Sequence, residues 1–326
     1  MAAPPPAAPS APAEPHAPVP LPALKSADPD ISHAVELIQS NQPGQALEIL
    51  QKSQKKFPKS PGLLALSGTA AYKADNLRLA LEYWKESLDL KPDPMVEGAY
   101  KQALREKDND KSGEKTFGSR FTLRYDGAVA DSEAAHTMVA MLDEEFGRIS
   151  AQLGCRADER IVAIVQSRDA YMRTTGAPVW SGGSYDGKVH IPILEKGKAD
   201  TRTRQLFAHE LVHACLSNIG TWPSWLQEGL AQRLSGEPVR QGTWEAIEKL
   251  GKAGKLPSLA ALGQGWGSKS TAEAQVAYGL ARTAVDMFYK YHSEFGVRNL
   301  MNNPAALPRI TADLDRRIKE SVELAP

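Results

Sequence analysis

Apolar residues recur at helical spacing along most of the second half of this chain, and at strand spacing in short segments. A strand is predicted at 120–125, where apolar and polar residues alternate, and a buried strand at 160–166, which is almost wholly apolar. A helix is predicted at 132–153, because its apolar residues repeat every three or four positions. The same spacing predicts further helices at 200–218, 224–234, 240–251, 273–292 and 309–322.

A hairpin is predicted at 184–192, because Asp186-Gly187 is a typical turn pair between two extended segments. Pro192 has no backbone N–H to donate, so we expect its strand at the edge of the sheet. His190 lies on the same strand. We expect it to be a surface or hydrogen-bonded histidine rather than a metal ligand.

An internal repeat precedes these elements. The triplet Ala-Leu-Glu at 46–48 recurs at 80–82, an offset of 34 residues. This is the tetratricopeptide period, and residues 32–106 resemble about two such helical repeats. Stacked repeats of this kind form a groove. The module therefore has two interpretations, as the binding site of a partner protein or as a structural brace for the C-terminal domain.

Composition bounds the possible functions. The 326 residues carry no formal net charge and have a pI of about 7.1, which gives no support to nucleic-acid binding. No apolar run approaches the roughly 18–20 residues of a membrane helix, so no integral membrane segment is expected. Ten of the 23 prolines lie between Pro4 and Pro29, which predicts a disordered tether at 1–31. Such tethers often follow a removed export signal, so a periplasmic or secreted location is slightly favoured over a cytoplasmic one.

The charged segment 107–116 is predicted to be a linker. It separates the repeats at 32–106 from a domain at 117–326. A chain that starts near Ser112 is therefore expected to fold without the repeats. The two cysteines, Cys155 and Cys215, are too few for a disulfide framework. Cys215 is interpreted as a buried thiol, and its pairing with Cys155 is left open.

The candidate chemistry lies in the pentapeptide His209-Glu210-Leu-Val-His213, which matches the HExxH pattern of zinc hydrolases. Residues four apart lie on one face of a helix, so both imidazoles can face one metal ion. Glu210 is then close enough to act on a water beside the metal. A third ligand must come from elsewhere, and Glu228, in the next predicted helix, follows His213 by 15 residues.

The motif HELVH followed by WLQEGLA resembles the gluzincin metallopeptidases, in particular the small bacterial peptidase MA-like domains. The resemblance implies that His209, His213 and Glu228 hold zinc and that Glu210 is the general base. It also implies that Tyr278 approaches the zinc and stabilises the oxyanion, and that the strand of the 184–192 hairpin binds substrate backbone. Many gluzincins place an Asp one turn after the ligand Glu, as a partner of a histidine. Here that position is Gln232, which can still bond an imidazole but adds no charge.

The sequence thus predicts an α+β fold, in which tetratricopeptide-like helices precede a gluzincin-like domain of a small, mostly antiparallel sheet and helices. The predicted function is zinc-dependent hydrolysis of peptide bonds in a peptide or protein substrate. Two alternatives stay open: a non-catalytic zinc domain in an adaptor protein, and a zinc amidase that acts on cell-wall peptide. A structural zinc site has no use for a base at Glu210 and closes with four protein ligands, of which three are visible here.

Overall fold

The computed structural model describes residues 28–177, 181–193, 197, 199–238, 242–263, 266 and 271–323. The fold is mixed α+β and mostly helical, with twelve helices and a five-stranded sheet in this part of the chain. The strands are β1 Glu114–Phe117, β2 Phe121–Tyr125, β3 Ile161–Ser167, β4 Ser184–Tyr185 and β5 Val189–Ile193. The helices are α1 Pro29–Gln39, α2 Pro43–Lys56, α3 Pro61–Lys73, α4 Leu77–Leu90, α5 Pro94–Asn109, α6 Ser132–Leu153, α7 Arg168–Thr175, α8 Thr201–Ile219, α9 Ser224–Leu234, α10 Thr243–Lys252, α11 Thr271–Asn302 and α12 Leu307–Glu323.

Helices α1 to α5, residues 29–109, form what we term the helical module. The turns between α1 and α2 and between α3 and α4 have the same geometry, because Asn41 and Asp75 both adopt positive φ, at 57° and 60°. These residues lie 34 positions apart, so the sequence repeat is also a repeat of backbone conformation. Gly68 on α3 admits the indole of Trp84, since an added Cβ would lie 2.4 Å from the ring.

The sheet has the order β1-β2-β3-β5-β4, with parallel inner pairs and antiparallel outer pairs. The prediction of a mostly antiparallel sheet is therefore wrong. The edge position predicted from Pro192 is also wrong, because β5 lies between β3 and β4. Proline is accommodated because β4 is short: its pairing with β5 ends opposite His190, and Pro192 lies beyond it.

The two faces of the sheet differ in chemistry. One face carries apolar residues from β2, β3 and β5, such as Leu123, Ala163 and Ile191, and packs in the core with α6 and α8. The alternate residues of the same strands point the other way. They include four polar side chains, all at least partly buried, that face the helical module and α7: Arg124, Gln166, Lys188 and His190.

A buried polar layer joins this second face to the helical module. Lys188 is fully buried, and its Nζ lies 2.7 Å from Glu106 Oε1 and 3.3 Å from Asp75 Oδ1. The same ammonium lies 4.2 Å from the centroid of the Tyr72 ring. Arg124 on β2 also pairs with Asp75 and Glu106. Charges from both parts of the chain thus neutralise one another, with Lys188 and Glu106 fully buried and Arg124 and Asp75 partly buried.

The polar layer continues at the hairpin between β4 and β5. Tyr72 donates a hydrogen bond of 2.9 Å to Asp186 Oδ2, and His190 Nε2 lies 3.3 Å from Asp186 Oδ1. Burial raises the pKa of Asp186, but the interactions with His190 and Lys188 outweigh it and lower that pKa to about 2. His190 is therefore a hydrogen-bonded interior residue.

Most of the predicted linker belongs to regular elements. Helix α5 continues to Asn109 and β1 begins at Glu114, so only 110–113 separates them. Asp110 in this short segment pairs with Arg124 and accepts a hydrogen bond from Gln166. Other charged residues of the segment, such as Lys107 and Lys111, are exposed, so the charged stretch alone did not reveal that Asp110 has a partner on the sheet. Helix α1 likewise begins at Pro29, inside the predicted tether, most of which lies outside the described residues.

The predicted helices of the second half agree with α6, α8, α9, α10, α11 and α12 to within a few residues, except that α11 is longer. Helix α11 continues beyond 292 to Asn302, with a break at Ser293, where φ is 58°. Helix α7 was not predicted. Helices α8, α9 and α11 pack on one another and carry the candidate site.

Cys155 and Cys215 form a disulfide between the end of α6 and the middle of α8, with Cα atoms 5.3 Å apart. Cys215 is therefore not a free thiol. We expect the double variant Cys155→Ala/Cys215→Ala to lose about 2–5 kcal/mol of unfolding free energy, because the bridge closes a long loop of the unfolded chain. Denaturant unfolding with and without reductant measures this loss. Reductant should destabilise the wild type and leave the double variant unaffected; a wild type insensitive to full reduction would contradict the prediction.

Candidate metal centre

The HELVH segment lies in the middle of α8, a helix of 19 residues that begins at the N-cap Asp200. The segment from Phe207 to Leu216 is buried throughout. His209 and His213 lie one turn apart on one face, with ring centroids separated by 5.2 Å. Both imidazoles therefore face the same interior space, as their spacing predicted.

Glu228 reaches the histidines because the chain reverses between α8 and α9. Gly220 makes the reversal possible with φ 151°, and α9 returns from Ser224. The carboxylate of Glu228 is completely buried. The next residue, Gly229, allows α9 to pack closely against α11, because an added Cβ would lie 2.3 Å from the carbonyl oxygen of Ala281. Only glycine permits this approach of the two helices.

The three predicted ligands converge. The donor atoms of His209, His213 and Glu228 all lie within 4.8 Å of one another. His209 Nε2 is 3.5 Å from Glu228 Oε2, and His213 Nε2 is 3.3 Å from Glu228 Oε1. A tetrahedral ion with bonds of about 2.1 Å holds its ligands roughly 3.4 Å apart, so these separations suit zinc. Two imidazoles and a carboxylate are also a donor set typical of a zinc site with one open position.

Glu210 lies beside the three donors and completes the cluster. Its Oε1 and the Nε2 of His209 are buried and make no hydrogen bond within the described part of the chain. Buried polar atoms without a hydrogen bond are rare, and here they lie in or beside a group of donor atoms that could hold a metal ion. Burial raises the pKa of Glu210 to about 8, with His209 opposing the rise and Glu228 and Glu237 adding to it.

A third carboxylate, from Glu237, gives the cluster an excess of negative charge. His209 is deeply buried, which by itself would lower its pKa. The negative charges of Glu237 and Glu228 outweigh burial and hold the pKa of His209 well above its usual value. The same negative potential attracts a metal cation.

Gln232 occupies the position at which the resemblance placed a partner of a histidine. Its side-chain amide donates hydrogen bonds to two backbone carbonyls, of Glu228 at 3.2 Å and of Tyr278 at 3.1 Å. The imidazole of His209 instead meets Glu237, whose Oε1 lies 2.6 Å from Nδ1. Glu237 follows the end of α9, outside the helical spacing that connects Glu228 and Gln232. No sequence pattern pointed to it.

Tyr278 lies on α11 and is buried. Its ring packs edge-on against the indole of Trp266, with centroids 4.7 Å apart. The backbone carbonyl of Tyr278 also accepts the hydrogen bond from Gln232, which connects α11 to the helix of Glu228. The catalytic role of Tyr278 stays a prediction.

Gly183, just before β4, contacts the predicted base and was not identified from the sequence. An added Cβ at this position would lie 2.8 Å from Glu210 Oε1 and 2.9 Å from its Cγ. The backbone there is held by Ser181, whose Oγ donates to the carbonyl of Gly183 at 2.9 Å. Ser181 Oγ also lies 2.6 Å from the hydroxyl of Tyr171. The segment is thus held tightly over Glu210.

If the zinc-dependent hydrolysis predicted from the sequence is right, Gly183→Ala should lower that activity at least tenfold while zinc content stays near one equivalent. The new methyl group would displace the Glu210 carboxylate, and small displacements of a catalytic group cost large factors in rate. Activity per bound zinc, compared with that of Gly147→Ala on α6, where an added Cβ meets no atom of the described residues within 4 Å, measures the effect. Equal activity per zinc in wild type and Gly183→Ala would refute it.

Comparisons with known protein families, curated proteins and solved structures found no match for this chain. None of the described helices combines the length and apolar character that a membrane span requires. The site therefore rests on its own geometry: two imidazoles and a carboxylate at metal-binding separation, with a second carboxylate beside them.

Proposed function

We propose that this chain is a zinc-dependent hydrolase that cleaves peptide bonds. The observation that carries the proposal is the convergence of His209, His213 and Glu228 next to the buried carboxylate of Glu210. The placement of Glu210 favours an enzyme over an adaptor with a structural zinc, because a structural site needs no base. The resemblance of HELVH and WLQEGLA to the gluzincins adds the expectation that the scissile bond is a peptide bond.

Each residue of the metal centre has its own role in the proposed reaction. His209, His213 and Glu228 would hold the ion, and zinc bound there would act as a Lewis acid toward the attacking water and the peptide carbonyl. Glu210 accepts a proton from the attacking water as the C–O bond forms. It then passes that proton to the departing amine as the C–N bond breaks. Gly183 leaves Glu210 the room to do both.

We also propose a gluzincin-like arrangement for the sheet, α8 and α9, and a tetratricopeptide-like one for the helical module. The order of strands, HELVH helix and returning Glu228 helix supports the first. The repeated turn geometry at Asn41 and Asp75 supports the second. The polar layer that joins the module to the sheet favours its role as a brace over that of a partner-binding groove. The buried disulfide favours an exported protein, since disulfides persist in oxidising compartments.

Metal analysis of wild type and His213→Ala tests the proposal. Purified wild type should carry about one equivalent of zinc and cleave members of a mixed peptide library. His213→Ala and Glu228→Ala should each lose most of the metal and the activity. His136→Ala, an exposed histidine on α6, is the matched control and should retain both. Zinc content unchanged in His213→Ala, or a zinc-loaded wild type that cleaves nothing in the library, would contradict the proposal.

Tyr278→Phe tests the role that the resemblance assigns to this residue. If its hydroxyl stabilises the oxyanion, kcat should fall by about 10²–10³ with little change in KM, because the hydrogen bond forms in the transition state. Stability should barely change, since the ring that packs on Trp266 remains. Unchanged kcat with a loss of about 1 kcal/mol in unfolding free energy would instead indicate a structural hydrogen bond.

A further inference from the structure

The turn that follows α9, residues 235–237, holds the carboxylate of Glu237 in place. Gly236 adopts φ 72°, which reverses the chain directly after the helix. Glu237 then lies beside His209, and Ser235 Oγ donates a hydrogen bond of 3.1 Å to Glu237 Oε1. The side chain of Gln205, on α8, donates to the carbonyl of Gly236 at 3.1 Å. The turn is therefore anchored to the helix that carries the histidines.

Arg282 on α11 holds the same turn from the other side. Its Nη1 donates to the carbonyl of Gln232 at 3.1 Å and to that of Glu237 at 2.9 Å. Its Nε is bonded to Asp286 at 2.8 Å, which fixes the guanidinium. One arginine thus joins the last turn of α9 to the backbone of Glu237. The position of the carboxylate is set by three helices rather than by a loose loop.

The contact determines which nitrogen of His209 carries the proton. An ionised carboxylate only accepts hydrogen bonds, so the 2.6 Å contact makes Nδ1 the donor to Glu237 Oε1. In the neutral ring the lone pair then belongs to Nε2, which is the atom that faces Glu228 at 3.5 Å. A carboxylate behind a ligating histidine also makes that ligand more basic.

We infer that Glu237 is the positioning residue of the metal centre: it fixes the tautomer and orientation of His209 and strengthens its bond to zinc. It supplies, from a turn beyond α9, the charged partner that Gln232 cannot supply. The inference rests on the proposed function, since it concerns the same metal. On this inference, the turn 235–237 and Arg282 serve to hold the Glu237 carboxylate beside His209, a role that the HELVH and WLQEGLA motifs do not indicate.

Zinc affinity tests this role independently of catalysis. The dissociation constant is measured by competition with a chelator at one fixed pH, for wild type, Glu237→Gln and Glu237→Ala. We expect zinc binding to weaken by about 10–100-fold in Glu237→Ala. Glu237→Gln should fall between that variant and wild type, because its amide oxygen still accepts from Nδ1 but adds no charge. The matched control is Glu144→Gln, which removes a surface carboxylate that pairs with Arg204 on the same helix α8.

Two further measurements separate positioning from folding. Thermal unfolding in the presence of a chelator should show all four proteins folded at the temperature of the zinc measurement. Nitrogen chemical shifts of His209 in the zinc-free protein, recorded at a pH above the raised pKa of this imidazole so that the ring is neutral, should show a proton on Nδ1 in wild type and a mixture of tautomers in Glu237→Ala. Zinc affinity equal in wild type and Glu237→Ala, or tautomers unchanged between them, would overturn the inference and leave the proposed function standing. A wild type that binds no zinc would overturn both.

Discussion

Glu210→Gln should retain one equivalent of zinc and lose hydrolytic activity by a factor of about 10²–10⁴, because glutamine has the shape of glutamate but cannot accept the proton. The ligands His209, His213 and Glu228 are untouched, so metal content should not change. Stability should hold or rise, since burial and, after it, the charges of Glu228 and Glu237 raise the pKa of Glu210; the ionised carboxylate is disfavoured there, whereas glutamine carries no charge. Activity on a peptide library, zinc content and thermal unfolding are measured on the same preparation.

The outcome of this substitution discriminates between the candidate functions. A zinc-loaded Glu210→Gln protein as active as wild type would remove Glu210 as the base. Loss of zinc together with activity would show that Glu210 supports the metal rather than the reaction. Glu133→Gln, an exposed carboxylate at the start of α6, serves as the control for the chemical change itself.

Lys188→Met should lower the unfolding free energy by about 3–5 kcal/mol, because it leaves Glu106 and Asp75 with less compensation in a buried position. Methionine has a similar volume, so the loss reports on charge rather than on packing. The double variant Lys188→Met/Glu106→Gln should recover part of the loss. Denaturant unfolding of the two single variants and the double variant completes a cycle that isolates the pair.

Lys85→Met is the matched control for the buried lysine. Lys85 pairs with Asp89 on the exposed surface of α4, where solvent screening leaves an ion pair with little effect on stability. If Lys188→Met were as mild as Lys85→Met, the polar layer would contribute little to the unfolding free energy.

Because of the polar layer, we reverse the earlier expectation that a chain starting near Ser112 folds. Such a chain would expose Lys188 and the second face of the sheet, so we expect insoluble protein or a strongly reduced zinc content.

The sequence predicted the local elements of the site well because their signals are periodic. The helix at 200–218 and the hairpin at 184–192 follow from spacing and turn chemistry, and α8 and the β4–β5 pair agree with them. Glu228 was singled out because it lies in the next predicted helix, 15 residues after His213. Strand order was not predictable from Pro192, since the short strand β4 leaves this proline without a partner on one side while β3 pairs with it on the other.

The parts that the sequence did not reveal depend on contacts between distant residues. Glu237 lies outside any helical spacing with His209, so only the turn at Gly236 brings it near. No sequence signal singled out Lys188 and Glu106, because charged residues are rarely buried and their burial here requires a partner from another element. The pairing of Cys155 with Cys215 likewise requires the segment just after α6 and the interior of α8 to meet in space.

The close packing at Gly229 has a consequence for how the metal is acquired. The backbone of α9 rests on the carbonyl of Ala281, so Glu228 is kept opposite the histidines by contacts that involve no ion. Binding of zinc then orders no segment of chain and costs little conformational entropy. Small zinc modules unfold when a chelator removes their metal. In this protein the ion should leave and return while the molecule stays folded, which makes metal loading a reversible step that follows folding rather than a part of it.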